Sequence, residues 1–542
     1  MTENKQYRNF LKKSKFNRKK AKEYQKAYQL IKKTDLFDEE FYLEQYPNIA
    51  KANIDPLTHY LFHGGKEGKY PSTKFNGNQY LNNNPELIET ETNPLVHYIL
   101  HGKQEKQETY PVNYTQQYNN IIKNNLLYLH NYKIKEEPLV SIIILNRNGQ
   151  HHLKRLFKNF QEKTNYKNYE IIIVDNASTD NSIEYLNEIK KTLPIKIIQN
   201  QTNQSFSKAN NQAVKQAKGE LILLLNNDIE PTYGWLNEMV GTITQDPKIA
   251  AVGAKLIYPY YFDRISINKS FTIQHAKVKF EEVINKYYDY GPIHENIEEK
   301  DIFNQKYNTT QECLAVTAAC LLIRKNIYTQ LNGLDEEYFY GYEDIDLMLK
   351  IHKNNYKTVY TGAALLFHHE SSTRNDEGEF AEINQKNIET LTRKWNQYLF
   401  KNILLDKIKK EKFFTNQKLT IAIINTNQTN NKTISQLSKN INKNEYNIEL
   451  INNTKTLKMN KETDIILSFN ENYEINEIKA RKNIIKIYYT TEKITQDLIE
   501  KTKHYNIILT TNKENKEENN IFLIEKLDTE NILDTITNFY NI

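Results

Sequence analysis

The chain has 542 residues and a net charge of +6, from 73 Lys and Arg against 67 Asp and Glu. That length supports several domains, and so small a charge excludes a dedicated nucleic-acid binder. Two cysteines, Cys313 and Cys320, exclude a disulfide framework and a thiolate metal site, and no apolar run approaches the ~20 residues of a membrane span.

The opening Met1-Thr2-Glu3-Asn4 lacks the apolar core of a signal peptide, so a cytoplasmic chain in a reducing compartment is expected. Residues 1–33 hold twelve Lys/Arg against Glu3 and Glu23, a local charge of +10, leaving about −4 elsewhere (6 − 10). With Tyr7, Phe10, Leu11, Tyr24, Tyr28 and Ile31 they read as a basic helix over 1–34. Such a helix either packs one face on the next domain or lies on anionic lipid as a peripheral membrane contact.

Residues 35–112 contain an internal repeat of period 38. Phe37, Tyr42, Leu43, Pro47, Pro56, His59, Tyr60, His63 and Gly64 recur as Phe75, Tyr80, Leu81, Pro85, Pro94, His97, Tyr98, His101 and Gly102. Each unit reads as a helix, a Pro-marked turn and a second helix ending at Gly. His59/His63 and His97/His101 share helix faces, a spacing that admits zinc, but no further ligand repeats with them and a structural role is favoured. Residues 113–137 read as a linker helix.

The centre of the chain alternates β-rich runs with helical spacing. Leu139–Leu145 breaks into Asn146-Arg147-Asn148-Gly149, Glu170–Val174 into Asp175-Asn176, Ile195–Ile198 into Gln199-Asn200, and Leu221–Leu225 into Asn226-Asn227-Asp228. Such alternation predicts an α/β fold, a Rossmann-like parallel sheet covered on both faces, with ligands beyond the strands' carboxyl ends. Asp175 and Asp228 should therefore converge on one crevice, with Asn146 and Arg147 lining it. A helix is expected from Pro231, a loop-rich insertion over 260–311, and a strand over Leu314–Ile323. Glu343-Asp344-Ile345-Asp346 opens an amphipathic helix, and Phe367-His368-His369-Glu370-Ser371 closes a β-run.

Six pieces in order carry a resemblance: Val174-Asp175-Asn176-Ala177-Ser178-Thr179-Asp180, Ser207-Lys208-Ala209-Asn210-Asn211, Leu225-Asn226-Asn227-Asp228, Gly333-Leu334-Asp335-Glu336, Glu343-Asp344-Ile345-Asp346-Leu347 and His368-His369. Over residues 138–400 the chain resembles family-2 glycosyltransferases of the GT-A fold, of the bacterial surface-polysaccharide type. The resemblance implies a nucleotide-sugar donor held by Asn146, Arg147, Asp175, Asn176, Lys208, Asn210 and Asn227. It implies Mn2+ or Mg2+ on Asp228 and His368, with His369 the competing ligand. Asn226 stands where the family's Asp-X-Asp pattern has its first acid. Asp344 matches the general base, whose chemistry needs a carboxylate within reach of the attacking hydroxyl, and Glu343 is assigned to shaping the acceptor site. Asp180 is read as a helix cap and Asp346 as structural. The 38-residue units likewise resemble helical repeats found beside glycosyltransferase domains, a module suited to docking or acceptor binding.

Residues 418–542 alternate again and predict a smaller C-terminal α/β domain. The expected function is inverting, metal-dependent transfer from a UDP- or dTDP-sugar to a glycan or lipid-linked acceptor in surface-polysaccharide or cell-envelope glycoconjugate synthesis. The rivals are a non-catalytic glycan-binding or scaffold protein and a sugar-phosphate nucleotidyltransferase. The latter should carry a longer Gly-rich loop after the first strand than Asn146–Gly149 provides.

Overall fold

The computed structural model describes residues 5–539 except 15, 47, 50–51, 53, 136, 284–288, 296, 370–376, 425–433, 436, 438–445, 452–462, 470–483, 503–504, 514, 516–519, 525–526 and 528. Pro47 of the repeat, the first four residues, and Glu370 and Ser371 of the expected last run lie outside them.

The basic segment is two helices, Lys5–Lys13 and Arg18–Ile31, the second capped by the Asn17 side chain on the Lys20 N–H. Most of its large apolar residues are not offered to lipid. Tyr7, Tyr24, Tyr28 and Ile31 are buried in one core with Tyr42, Tyr60, Phe62, Phe75 and Tyr80, which overturns the lipid-facing alternative for that side. Burying a large apolar side chain stabilises by roughly 1.5–3 kcal/mol, which is lost if the helix turns over to meet a membrane.

The two repeat units share an internal bond. Tyr42 OH meets His59 Nδ1 at 2.9 Å, and 38 residues on Tyr80 OH meets His97 Nδ1 at 2.9 Å. A Cβ at Gly64 or Gly102 would collide with the Tyr42 or Tyr80 hydroxyl, which accounts for the glycine that closes each unit. The second helix of each unit widens into a π-turn, Tyr60–Gly64 and Tyr98–Gly102. The module docks on the loop near Phe262: its carbonyl accepts from the Tyr46 hydroxyl and from the Tyr70 N–H.

The expected linker helix stops early, at Tyr114–Asn125, and a 3-10 turn over Leu126–Tyr128 follows it. Eight strands follow in the order β10-β12-β6-β11-β4-β1-β2-β3, with two short ones, β5 and β7, paired on β12 and β6. They are β1 (Val140–Asn146), β2 (Tyr169–Asn176), β3 (Ile195–Asn200), β4 (Leu221–Asn226), β5 (Ile229–Pro231), β6 (Ile249–Ile257), β7 (Ile273–His275), β10 (Thr310–Cys313), β11 (Cys320–Arg324) and β12 (Lys357–His368). Alternate side chains feed two cores: Ile143, Ile172 and Leu224 on one face, Ile142, Ile144, Ile171, Ile173 and Leu223 on the other.

The sheet is not wholly parallel as expected. β1, β2, β3 and β4 are parallel, but β11 lies antiparallel between β4 and β6, and β10 antiparallel on β12. A continuous apolar run marks burial on both faces and carries no sign for direction.

Three further expectations are corrected. Pro231 ends β5 instead of opening a helix, which begins at Trp235. The strand expected over Leu314–Ile323 is only Cys320–Arg324, because the N–H groups of Thr317 and Ala318 go to side chains and not to a neighbouring strand. The insertion over 260–311 is not merely loop: it holds β7, β10 and a hairpin of β8 (Val278–Val283) and β9 (Asp289–His294).

The helix Glu377–Lys409 runs from the main sheet to a second sheet of six parallel strands, β14-β13-β15-β16-β17-β18. These are β13 (Leu419–Ile424), β14 (Tyr446–Ile451), β15 (Ile465–Ser468), β16 (Ile485–Thr490), β17 (Ile507–Thr510) and β18 (Ile521–Leu523). Sequence reading missed β14. Lys407 Nζ joins Asp464 Oδ1 at 2.7 Å where the helix meets this sheet, both groups buried.

Gly362 sits where the register of β12 against β6 shifts, between Thr361 and Leu365. A Cβ there would overlap the Tyr307 carbonyl oxygen and stand 2.7 Å from Asn308 Cα. Both are backbone atoms and cannot swing aside. Gly362→Ala is expected to cost about 1–3 kcal/mol, read as a lower urea midpoint at unchanged m. An unchanged midpoint would mean the bulge yields freely.

Candidate functional site

The parallel register sets out the site. Asn146 pairs with Asp175, and Leu145 with Asn226, so the ends of β1, β2 and β4 stand level. Asn146 Nδ2 donates to Asp175 Oδ2 at 3.0 Å, and Asn227 Nδ2 donates to Asn146 Oδ1 at 2.9 Å. Ser178 donates to Asp175 twice, from its N–H at 2.9 Å and its hydroxyl at 2.6 Å. Asp175 is therefore a buried organiser whose carboxylate keeps about one of its four acceptor positions. Asn148, in the left-handed region at φ 50°, receives the Thr179 N–H on Oδ1 at 2.7 Å and ties the β1 and β2 loops together. Asp180 does the same from the other side, accepting from the N–H of Gln150 and of Ser182.

Not every residue assigned to the donor comes into this cluster. Asn176 bonds Gln204 O and Asn200, joining β2 to β3. Asn210 turns back to the Phe206 carbonyl of its own helix. Arg147 and Lys208 are exposed.

Beyond β4 the chain turns through Asn227 and Asp228 into β5, which pairs antiparallel with the end of β12. The Asp228 carbonyl accepts the His369 N–H at 2.9 Å. This register brings His368 Nε2 to 3.2 Å from Asp228 Oδ1 and 3.4 Å from Asn226 Nδ2. His369 goes the other way, to Glu230 Oε2 at 3.3 Å. Gln274 Oε1 lies 2.7 Å from His368 Nδ1, so Nδ1 carries the proton and Nε2 presents its lone pair.

Burial pushes the Asp228 carboxyl up; where the His368 ring takes a second proton, its Nε2 donates to Oδ1, and this imidazolium, with those of His152 and His369, outweighs burial and holds the carboxyl below the usual range. A carboxylate oxygen and an imidazole lone pair facing each other call for a shared proton or a cation. Cis ligands of octahedral Mg2+ or Mn2+ stand about 3 Å apart, so the pair fits such an ion. Among the described residues no group of three His, Cys, Asp or Glu could hold a metal, so the remaining ligands would come from substrate or water.

Asp228, His368 and Asn226 line a cavity of about 440 Å3 with Glu343, Asp344, Thr317, Ala318, His275 and His294. Helix Glu343–Lys353 starts at this cavity. Asp344 Oδ2 accepts the Ala318 N–H at 3.0 Å and Oδ1 accepts the Ile345 N–H at 2.8 Å. Asp346 is spent inside, on Trp395 Nε1 at 2.7 Å and Lys350 at 2.6 Å.

Glu343 is buried, and burial with the Asp344 charge pushes its carboxyl up from 4.5 to about 8. It is protonated at neutral pH. Because its folded value exceeds its unfolded one, the folded chain binds the extra proton between them. Stability from this group is full below the unfolded value and falls as pH rises through the folded one. Glu343→Gln is expected to match wild type near pH 5 and to exceed it by on the order of 1–3 kcal/mol near pH 9. Denaturant titrations at both pH values check this; an equal difference at both would refute the burial argument.

Sequence reasoning missed several lining groups. His275 Nε2 accepts the Thr317 N–H at 3.1 Å, so its proton is on Nδ1, which donates to His294 Nδ1 at 2.7 Å. His294 then carries its own proton on Nε2. Burial holds His275 well below its usual value, which keeps this neutral chain intact. Gln274, His275 and His294 lie in the aperiodic insertion, where no spacing announced them.

Residues 141–327 match the Glycosyl transferase family 2 model. The chain is 33% identical over 269 residues to Uncharacterized protein y4gI of Sinorhizobium fredii, covering 48% of this chain and 28% of that protein. It is 31% identical over 248 residues to O-antigen biosynthesis protein RfbC of Myxococcus xanthus, covering 45% of this chain and 18% of that protein. The chain thus spans under a third of the length of either relative. Among solved structures, GalNAc-T7 with UDP, GalNAc and Mn2+ aligns at a TM-score of 0.39 and 16% identity, over 51% of each chain. The main sheet is of the GT-A class, and residues 141–327 are the part of it similar to glycosyltransferase family 2.

Proposed function

We propose that the chain is an inverting, metal-dependent glycosyltransferase that moves a sugar from a UDP- or dTDP-sugar to a hydroxyl of a glycan or lipid-linked acceptor in surface-polysaccharide synthesis. The observation that carries this reading is one cavity faced by two chemistries: the Asp228–His368 pair, and Asp344 with both oxygens fixed by main-chain N–H groups. The O-antigen name of one relative supports the pathway class.

In this reading the level strand ends around Asn146, Asp175 and Asn227 hold the nucleoside, with Arg147 and Lys208 at the rim, and Asn176 and Asn210 as supports. Asp228 and His368 would hold Mn2+ or Mg2+, which when bound neutralises the leaving diphosphate. Asp344 accepts the proton of the acceptor hydroxyl as that oxygen attacks the anomeric carbon. A single displacement inverts that carbon. Neutral Glu343 offers a hydrogen-bond donor without adding charge beside the base.

A cytoplasmic location at the inner membrane face fits lipid-linked acceptors. Among the described residues no helix is long and apolar enough to cross a membrane. With Tyr7, Tyr24, Tyr28 and Ile31 buried, any lipid contact of that segment rests chiefly on its Lys and Arg.

The test is donor hydrolysis by the full chain with a panel of UDP-, dTDP- and GDP-sugars and Mn2+. Release of nucleoside diphosphate from at least one is expected. Binding of glycan without release from any would favour the scaffold reading, and nucleotide-sugar formation from a sugar phosphate and a nucleoside triphosphate would favour the nucleotidyltransferase.

A further inference from the structure

We propose that Tyr340 forms a stacking platform for a pyranose ring of a glycan acceptor, beside the hydroxyl that reacts at Asp344. This rests on the glycosyltransferase reading and names the acceptor class.

The segment Tyr338–Tyr342 contains four aromatic residues and leads directly into Glu343-Asp344. Tyr338 is fully buried, yet Phe339 is 48% and Tyr340 39% exposed. A large ring exposed at the rim of a cavity is an expense the fold could avoid with a polar residue. The main chain of this segment is also held still. The Phe339 carbonyl accepts the Phe206 N–H at 3.1 Å, and the Tyr338 carbonyl accepts the Ser207 hydroxyl at 3.3 Å. From the opposite side Asn387 Nδ2 donates to the carbonyls of Tyr340 at 2.8 Å and Gly341 at 3.1 Å.

The backbone then passes through two left-handed residues, Gly341 at φ 94° and Tyr342 at φ 72°. Side-chain-bearing residues rarely adopt the second conformation, and such outliers gather at binding sites. The Phe206 ring meets Tyr340 edge-on, at 6.3 Å and 83°. The Tyr340 ring thus has a partner and sits on a main chain fixed by other elements.

The chemistry around it selects the ligand. Tyr340 and Tyr342 line the same cavity as Asp344, Asn384 and Thr317. An apolar ring face bordered by carboxylate, amide and hydroxyl matches a pyranose, which has a C–H face and a rim of hydroxyls. An acyl chain would leave those polar groups unpaired. The nucleoside is accounted for at the β1 and β2 ends, whereas this cavity lies over β4, β6, β11 and β12.

The experiment is saturation-transfer NMR and calorimetry on the full chain with Mn2+ and UDP, using chitotriose, mannotriose and a rhamnose trisaccharide as probes. At least one probe should bind, with transfer concentrated on the C–H face of one ring. Tyr340→Ser should weaken it roughly tenfold or more, while Tyr340→Trp should retain it. UDP binding should stay within about threefold in both variants, which also serves as the test of folding. No binding of any probe, unchanged binding in Tyr340→Ser, or loss of UDP binding in Tyr340→Ser with wild-type thermal stability would each overturn the platform. If wild type bound no nucleotide sugar, the glycosyltransferase reading itself would fail, whatever the trisaccharides did.

Discussion

Asp344→Asn is expected to lower kcat about a thousandfold while leaving the donor KM within roughly threefold. The amide has nearly the shape of the carboxylate, and its oxygen can still accept the Ala318 N–H now held at 3.0 Å. It cannot accept the acceptor's proton. General-base contributions of about 10²–10⁴ set the scale. Because the cluster at Asn146, Asp175 and Asn227, the proposed nucleoside site, shares no bond with Asp344, donor binding should persist. Initial rates over a matrix of donor and acceptor concentrations, with donor affinity measured by calorimetry, check the separation. Transfer above a tenth of wild type would remove Asp344 as the base.

The second large effect concerns the metal. Chelation by EDTA is expected to abolish transfer, and Mn2+ or Mg2+ to restore it. Asp228→Ala and His368→Ala should each lower kcat/KM by about a hundredfold or more, because the developing charge on the diphosphate loses its counter-charge. Gln274→Leu should act more mildly. It leaves both ligands but frees the His368 ring, whose Nδ1 now sits 2.7 Å from the Gln274 oxygen. A ten- to hundredfold loss in metal affinity is the usual size of such support. Metal titrations followed by activity and by Mn2+ relaxation would separate affinity from rate. Full activity in EDTA would dismiss the assignment of Asp228 and His368.

The parts of the site that sequence made legible are those where periodicity ends in a polar residue. The runs before Asn146, Asp175 and Asn226 are continuous Ile, Leu and Val, and their register is what brings the three ends level. Asp344 was legible because acids open a helix whose apolar spacing is plain. Strand direction was not. Leu321, Leu322 and Ile323 look alike in a parallel and an antiparallel neighbour, so β11 could not be oriented. The hairpin β8–β9 was hidden because its alternation is broken by polar and aromatic residues. The donor assignments to Asn176 and Asn210 followed from motif position, while the geometry gives their amides to backbone carbonyls. Position in a motif does not say which way an amide turns.

The stretch before β11 has a consequence for how variation at this site is read. The Asp344 carboxylate is oriented by the N–H of Ala318, and the histidine pair by the N–H of Thr317, which are groups every amino acid except proline supplies. A survey of single substitutions would therefore read at these positions the fit of the side chain, tight at buried Ala318 and polar at Thr317, whose hydroxyl accepts the Ala319 N–H, and not the bonds to Asp344 and His275. Those bonds lie in the path of the main chain, inherited with the loop as a unit. Recombination that moves this loop would carry half of the Asp344 environment with it.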